Sequence, residues 1–163
     1  MLKALSIRNI VLIERLDLEF ESGLCVLTGE TGSGKSILLD ALGLAIGVRA
    51  DSDLIKLGEK QSTVIAEFVL NDTSELFSLL KNQGIQFDNS LILRRLLTND
   101  GRSRAFINDQ PVSVSFLREV GEKLVEMNSQ MEAVGLLDPS KHGALVDTFG
   151  RLGDKIETVK ASY

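Results

Sequence analysis

The chain has 163 residues, of which 44% are hydrophobic and 25% are charged, as expected for a globular domain rather than a disordered or fibrous chain. A net charge of -5 and a pI near 5.0 exclude a surface that is basic all over, so contact with nucleic acid would need a local patch. No segment approaches the ~20 apolar residues of a membrane span, and the N-terminus lacks a signal-peptide pattern. We therefore expect a cytoplasmic protein with no membrane partner.

The first part of the chain combines alternating and continuous apolar patterns. Residues 5–11 and 16–20 alternate between apolar and polar types, which predicts antiparallel strands with one buried face. The continuous apolar run at 24–27 predicts a strand buried on both faces, with Cys25 as a small core residue. From 35 to 46 apolar residues recur at spacings of three and four, which predicts a helix packed on the sheet.

The middle of the chain continues with strands and helices. The pattern predicts further strands at 63–70, 91–98, 102–108 and 124–128. Asp100 and Gly101 separate two of these runs and favour a hairpin between them. Helices are predicted at 73–83 and from a serine cap, Ser113 or Ser115, to about residue 123.

The last part of the chain predicts one long helix. Asp138 and Pro139 form a typical helix start, and apolar residues from 145 to 163 are spaced alternately four and three apart. This heptad pattern predicts the start of a coiled coil whose partner helix lies in sequence beyond this chain. The alternative is an amphipathic helix packed on the domain, since each glycine inside a helix costs ~1 kcal/mol. We divide the chain accordingly into a domain at 1–148 and the start of a coiled-coil helix at 149–163.

One motif predicts a specific chemistry. The sequence matches the pattern G-x-x-x-x-G-K-[ST] at every fixed position, with Gly29, Gly34, Lys35 and Ser36. The positions between them are Glu30, Thr31, Gly32 and Ser33. Backbone N–H groups of such a loop converge on phosphate oxygens at the start of a helix. Lys35 then reaches the β- and γ-phosphates, the Ser36 hydroxyl binds magnesium, and Ile37 adjoins the loop. The loop lies between a predicted strand and a predicted helix, so we predict binding of ATP with magnesium rather than an ordinary glycine-rich turn.

Three stretches together resemble the RecN family of bacterial DNA repair proteins, SMC-like members of the ABC ATPase superfamily. They are residues 5–9, 28–42 and 101–108. The resemblance implies an α/β fold of the ABC-ATPase half-head type, with a phosphate-loop strand and helix, an antiparallel β portion and the start of a coiled coil. It also implies an ATP-binding N-terminal head segment, associated with the nucleoid, that acts in recombinational repair of DNA double-strand breaks. Two such heads would sandwich ATP in a homodimer, and the full-length protein would engage DNA.

The resemblance assigns roles to residues outside the phosphate loop. Gln130 would be the glutamine that touches magnesium and the attacking water, so Lys35 and Gln130 are the implied catalytic residues, although Asn128 and Met131 replace the histidines usual in the family. Arg8 and Asn9 match a position at which such heads contact nucleotide, the alternative being a solvated strand edge.

Two motifs that ATP hydrolysis requires are absent from the sequence. It contains neither an apolar strand ending in Asp-Glu, the Walker B motif, nor a Leu-Ser-Gly-Gly signature. The resemblance places both in a C-terminal half-head, which becomes an expected partner, and predicts that this chain alone is inactive. The alternatives are an ABC transporter-type nucleotide-binding subunit, with Walker B directly downstream, and a nucleotide-gated scaffold without turnover.

Arginines cluster around the predicted hairpin. Arg102 and Arg104 share one face of their strand by the two-residue period, whereas Arg94 and Arg95 point to opposite faces. In an acidic protein this cluster is the best local candidate for DNA phosphate contact, and we predict Arg102 and Arg104 as the contacts. An equally supported alternative is that these arginines keep an edge strand from pairing. Arg49 is interpreted as a surface arginine, with phosphate or DNA contact as its alternative.

Overall fold

Six strands and three helices make up the described part of the chain, which in this computed structural model comprises residues 1–29, 34–49, 52–70, 74–125 and 150. The strands are β1 Leu2–Ile10, β2 Ile13–Glu19, β3 Gln61–Val69, β4 Ser90–Thr98, β5 Ser103–Ile107 and β6 Gln110–Val112. The helices are α1 Lys35–Ala45, α2 Ser74–Asn82 and α3 Val114–Leu124, and a 3-10 turn spans Ser52–Leu54.

The strands form one antiparallel sheet in the order β2-β1-β3-β4-β5-β6. β1 pairs with β2 on one side and with β3 on the other, so the first hairpin joins the rest of the sheet through β1. Burial alternates along β3 and β4, as it does in a sheet with one face against a core. The period-two pattern in the sequence is therefore the direct cause of the sheet's two unlike faces.

The core forms where the helices cover the inward residues of the sheet. α1 contacts β3, and α3 contacts β5. β3 contributes Val64, Ala66 and Phe68, all fully buried, and the helices contribute Leu44 and Leu117. Burying each large apolar side chain stabilises the fold by about 1.5–3 kcal/mol.

The sequence-based elements between residues 1 and 125 are confirmed with bounds shifted by a few residues, apart from the strand at 24–27. The cap of α3 is Ser113, whose Oγ accepts a hydrogen bond from the Phe116 N–H at 3.1 Å. β6 was not predicted, because it is only three residues long and contains Pro111. Proline cannot donate to a ladder, but β6 lies at the edge of the sheet, where that donor is not required.

The predicted strand at 24–27 is wrong in this structure. These residues form no strand, Leu24 and Val26 are 94% and 68% exposed, and Cys25 is exposed rather than in the core. An apolar run is buried on both faces only when strands flank it and layers cover it on both sides. No described strand pairs with it, so its composition alone could not bury it.

Several predictions concern residues outside the described ranges. The helix start at Asp138 and Pro139 lies outside them, as does the heptad segment at 145–163 except for Gly150, so the coiled coil and the division at residue 148 stay predictions. Of the predicted strand at 124–128, Leu124 instead ends α3, and Val125 is its extended C-cap. No helix in the described ranges has the length and apolar character of a membrane span.

Candidate functional site

The described part of the phosphate loop is built around the start of α1. Gly34 has φ +97°, in the left-handed region that favours glycine, and it is the N-cap of α1. The cap makes no side-chain hydrogen bond, and no acidic residue occupies the first turn. A helix start of this kind offers its backbone N–H groups and the positive end of its dipole to an anion.

Lys35, Ser36 and Ile37 form the beginning of α1. Lys35 Nζ donates a hydrogen bond to the carbonyl oxygen of Gly29, so the lysine side chain folds back from the helix to the beginning of the loop. Ser36 and Ile37 follow in the first turn of α1. The predicted residues Glu30, Thr31, Gly32 and Ser33 lie outside the described ranges, as does Gln130.

A cavity of about 530 Å³ lies beside Gly34 and Lys35, within the size range of small-molecule sites. Its other walls are mainly apolar and include Leu12, Leu16 and Leu38, from the β1–β2 hairpin and from α1. This apolar wall was not predicted from the sequence. Leu12 lies in the two-residue turn between β1 and β2 and is 76% exposed, and nothing in the local sequence shows that it lies beside α1.

Arg8 and Asn9, the other predicted nucleotide contacts, both hydrogen-bond to other residues of this chain. Arg8 Nη2 donates to the two carboxylate oxygens of Asp17 at 2.7 and 3.0 Å, and its Nη1 donates to two backbone carbonyls. Asn9 has φ +55°, and its Nδ2 donates to Glu59 Oε2 at 3.2 Å. The role of both residues toward nucleotide stays a prediction.

The ion-pair cluster around Asp17 has a defined electrostatic consequence. The Ser6 hydroxyl donates to Asp17 Oδ1 at 2.6 Å, and Arg8 and Arg15 donate to the same carboxylate. These hydrogen bonds, that of Ser6 first, lower the pKa of Asp17 to about 2. Because this pKa lies below the ordinary value of 3.8, Asp17 stabilises the fold above about pH 4, and that stability is lost as the pH falls through about 2.

Asp17→Asn should therefore remove part of the acid sensitivity of the fold. We expect the variant to be less stable than the wild type at pH 6 and to lose less stability between pH 4 and pH 2, because asparagine has no proton to gain. Thermal unfolding followed by circular dichroism at each pH measures this. Asp88→Asn is the matched control, since Asp88 makes no hydrogen bond or ion pair within the described residues. Equal pH profiles for the two variants would contradict the assignment.

The hairpin arginines are divided between the two sides of the sheet. Arg95 is 3% exposed, whereas Arg94 is half-buried over the Phe106 ring at 4.2 Å and pairs with Asp109 at 2.9 Å. Arg102 and Arg104 are both exposed, as DNA contacts require, and their contact with DNA stays a prediction. β6 pairs with β5 only at Ala105, Phe106 and Ile107, so it does not cover the end of β5 that carries Arg104, and the edge-strand alternative stays open.

Comparison with known proteins identifies relatives of the whole chain. The AAA domain family model matches residues 4–137. The DNA repair protein RecN of Halalkalibacterium halodurans is 42% identical over 164 residues, which cover all of this chain and 29% of that protein. RecN of Bacillus subtilis is 35% identical, again over the whole of this chain and 28% of that protein. The chain thus spans less than a third of the length of these relatives.

Solved structures agree on the fold. A chain from a structural study of ATP-driven dimerization and DNA-stimulated activation of SMC ATPases has a TM-score of 0.61 and 20% identity, over 90% of this chain and 97% of that one. The SMC head domain from Thermotoga maritima has a TM-score of 0.56 and 22% identity, over 72% of this chain and 41% of that one. At these identities the likeness shows the fold alone. This likeness confirms the predicted α/β fold of the ABC-ATPase half-head type.

Proposed function

Because this chain belongs to the AAA domain family and is similar over its whole length to RecN proteins, we propose that it is the ATP-binding head segment of a RecN-like protein of DNA double-strand break repair. The single observation that supports ATP binding most strongly is the start of α1. There Gly34 adopts the left-handed conformation and Lys35 reaches back to Gly29. This places a flexible cation and uncapped N–H groups at one point, next to an apolar cavity.

Each part of this site fits one part of the nucleotide. The β- and γ-phosphates would accept hydrogen bonds from the α1 N–H groups and from Lys35. The base and sugar would lie in the cavity against Leu12 and Leu16, where an apolar wall favours the face of a purine. Ser36, in the first turn of the helix, would hold magnesium, which neutralises charge on the phosphates.

The exposed run at 24–27 supports a partner in the same longer protein. Leu24 and Val26 leave apolar surface open to water just before the phosphate loop, and such surface is costly unless another element covers it. The relatives are more than three times as long as this chain, so their remaining sequence is long enough to supply the missing strands. This partner would be the C-terminal half-head, which would also contribute the Asp-Glu motif that the chain lacks.

The same proposal covers the assembled protein. Two heads would dimerise around ATP and couple the nucleotide state to DNA engagement, and the protein would act at the nucleoid in the cytoplasm. Gln130 would contact magnesium and the attacking water once the half-heads join. These steps depend on residues beyond the described ranges or beyond the chain.

The chain alone should bind ATP but hydrolyse it at a rate near background. Phosphoryl transfer depends on the positioning of magnesium and water, and no Asp-Glu pair follows an apolar strand in this sequence. Phosphate release from the purified chain, with and without the remainder of the longer protein, measures this. Addition of the remainder should restore turnover. Robust hydrolysis by the chain alone that disappears in Lys35→Ala would show that the catalytic carboxylate lies within these 163 residues.

A further inference from the structure

A second cavity, of about 390 Å³, lies between the β4–β5 hairpin and the N-terminal end of α3. Four arginines line it: Arg49, Arg95, Arg102 and Arg118. Its remaining walls contain serine, threonine, glycine and aliphatic residues, and none of the lining residues in the described part of the chain is acidic. It shares no lining residue with the cavity beside Lys35. Four of the 18 basic residues of this acidic protein therefore line one cavity.

Arg95 is the unusual member of this group because it is buried. Its exposed fraction is 3%, and Nε donates to the Ser103 hydroxyl at 2.6 Å. Nη1 is fully buried and has no hydrogen-bond partner among the described residues. Desolvation lowers the pKa of Arg95, as expected for a buried guanidinium whose charge is not offset by a carboxylate. A buried donor without an acceptor costs free energy that a bound anion would recover.

The surroundings of Arg95 suit an anion. Arg49 forms no ion pair within the described residues. Arg102 pairs with Asp100 at 3.3 Å and Arg118 with Glu122 at 2.9 Å, but these arginine side chains are 78% and 63% exposed. Exposed pairs of this kind contribute little, so either arginine can exchange its carboxylate for another anion.

The start of α3 adds to this field. Val114 and Ser115 line the cavity, and the helix has 11 residues, so the positive end of its dipole faces the same space. The helix start and the unpartnered guanidinium of Arg95 are independent features that favour the same kind of ligand.

We propose that this cavity is a phosphate-binding site in which Arg95 Nη1 donates to a phosphate oxygen and Arg49, Arg102 and Arg118 surround the remaining charge. Guanidinium groups match the geometry of phosphate better than that of a monatomic anion. The phosphate is either a phosphodiester of a DNA backbone or a free phosphate group. The site does not depend on the proposed nucleotide site, because the two share no residue.

The test uses the whole chain with Lys35→Ala in every sample, which removes the lysine of the phosphate loop as a source of phosphate binding. Inorganic phosphate is titrated against chloride at equal ionic strength, and binding is measured by calorimetry and by the shift in thermal midpoint. Arg95→Met, which keeps the length of the side chain without its donors, should weaken phosphate binding roughly tenfold or more. Lys60→Met is the matched control, since Lys60 is an exposed cation that does not line the cavity and is not one of the predicted DNA contacts.

A second variant protects the test against a folding defect at the buried position. Arg49→Ala replaces an exposed side chain, so the fold should be retained while phosphate affinity falls several-fold. Equal phosphate affinity in the parent, Arg95→Met and Arg49→Ala would overturn the proposal, as would an absence of any effect of phosphate beyond that of chloride.

Duplex DNA distinguishes the two sources of phosphate. If a backbone phosphodiester occupies the site, Arg95→Met should also weaken binding of a short duplex and lower its salt slope by roughly one, and inorganic phosphate should compete. If the ligand is a free phosphate group, the phosphate response should disappear in Arg95→Met, while duplex binding should stay equal to that of Lys60→Met. Neither result depends on whether the chain binds ATP at the phosphate loop. A failure of the proposed ATP-binding function can therefore be told apart from a failure of the proposed phosphate-binding site.

Discussion

Lys35→Ala is expected to lower the affinity of the chain for ATP roughly ten- to a hundredfold without unfolding it. The variant removes charge-assisted hydrogen bonds to the β- and γ-phosphates, each worth about 1.5–3 kcal/mol. Lys35 Nζ donates to the carbonyl oxygen of Gly29, the first residue of the loop, so the ammonium group lies beside the segment that the motif assigns to phosphate binding. The uncapped start of α1 would remain, which is why some residual affinity is expected.

Titration of a fluorescent ATP analogue measures the affinity, and far-ultraviolet circular dichroism verifies the fold. Lys60→Ala is the matched control, because Lys60 is an exposed lysine away from the loop. It should bind nucleotide as the wild type does. Undiminished affinity in a folded Lys35→Ala protein would place the nucleotide somewhere other than the phosphate loop.

Gly121→Ala is expected to destabilise the fold by about 1–3 kcal/mol, although alanine normally favours a helix by ~1 kcal/mol over glycine. A methyl group at Gly121 in α3 would lie 2.3 Å from the carbonyl oxygen of Ile46 and 2.7 Å from its Cβ. The same close approach is seen from the other side at Gly47, where an added Cβ would lie 2.5 Å from the backbone nitrogen of Arg118. The two backbones are in direct contact, so neither can move away cheaply.

Urea unfolding followed by circular dichroism measures this loss. Glu119→Ala is the control in the same helix, since Glu119 is exposed and its replacement should change stability by no more than about 0.5 kcal/mol. If Gly121→Ala were as stable as the control, the distance between Gly121 and Ile46 would have to be larger than it is in the structure. Gly47 and Arg118, on the two sides of this contact, both line the arginine-rich cavity.

The phosphate loop shows which structural features can be predicted from neighbouring residues alone. At its C-terminal end, glycine permits the required backbone angle, and the apolar period starts the helix at the next residue. The structure accordingly has the positive φ at Gly34 and the helix start at Lys35. Strand and helix positions were predictable for the same reason, since alternation and the 3.6-residue period are properties of neighbouring residues.

The apolar run at 24–27 shows that burial cannot be predicted from neighbouring residues alone. A continuous apolar segment indicates burial, but burial is a relation between that segment and others that must cover it. The described part of the chain provides no strand beside it, and Cys25 is exposed in consequence. The apolar wall formed by Leu12 and Leu16 was equally hidden from sequence, because it exists only where a hairpin tip meets α1.

The sequence by itself determined the phosphate loop, the alternation of the strands and the fact that Arg94 and Arg95 face opposite sides of their strand. It could not determine which of the two arginines faces inward, because that depends on which face of the sheet the helices cover. Only the tertiary structure decided this, by pairing β4 with β5 so that Arg95 lies opposite Ala105 and within 2.6 Å of the Ser103 hydroxyl. A one-residue change of register would have exchanged the two faces, since side chains alternate with a period of two.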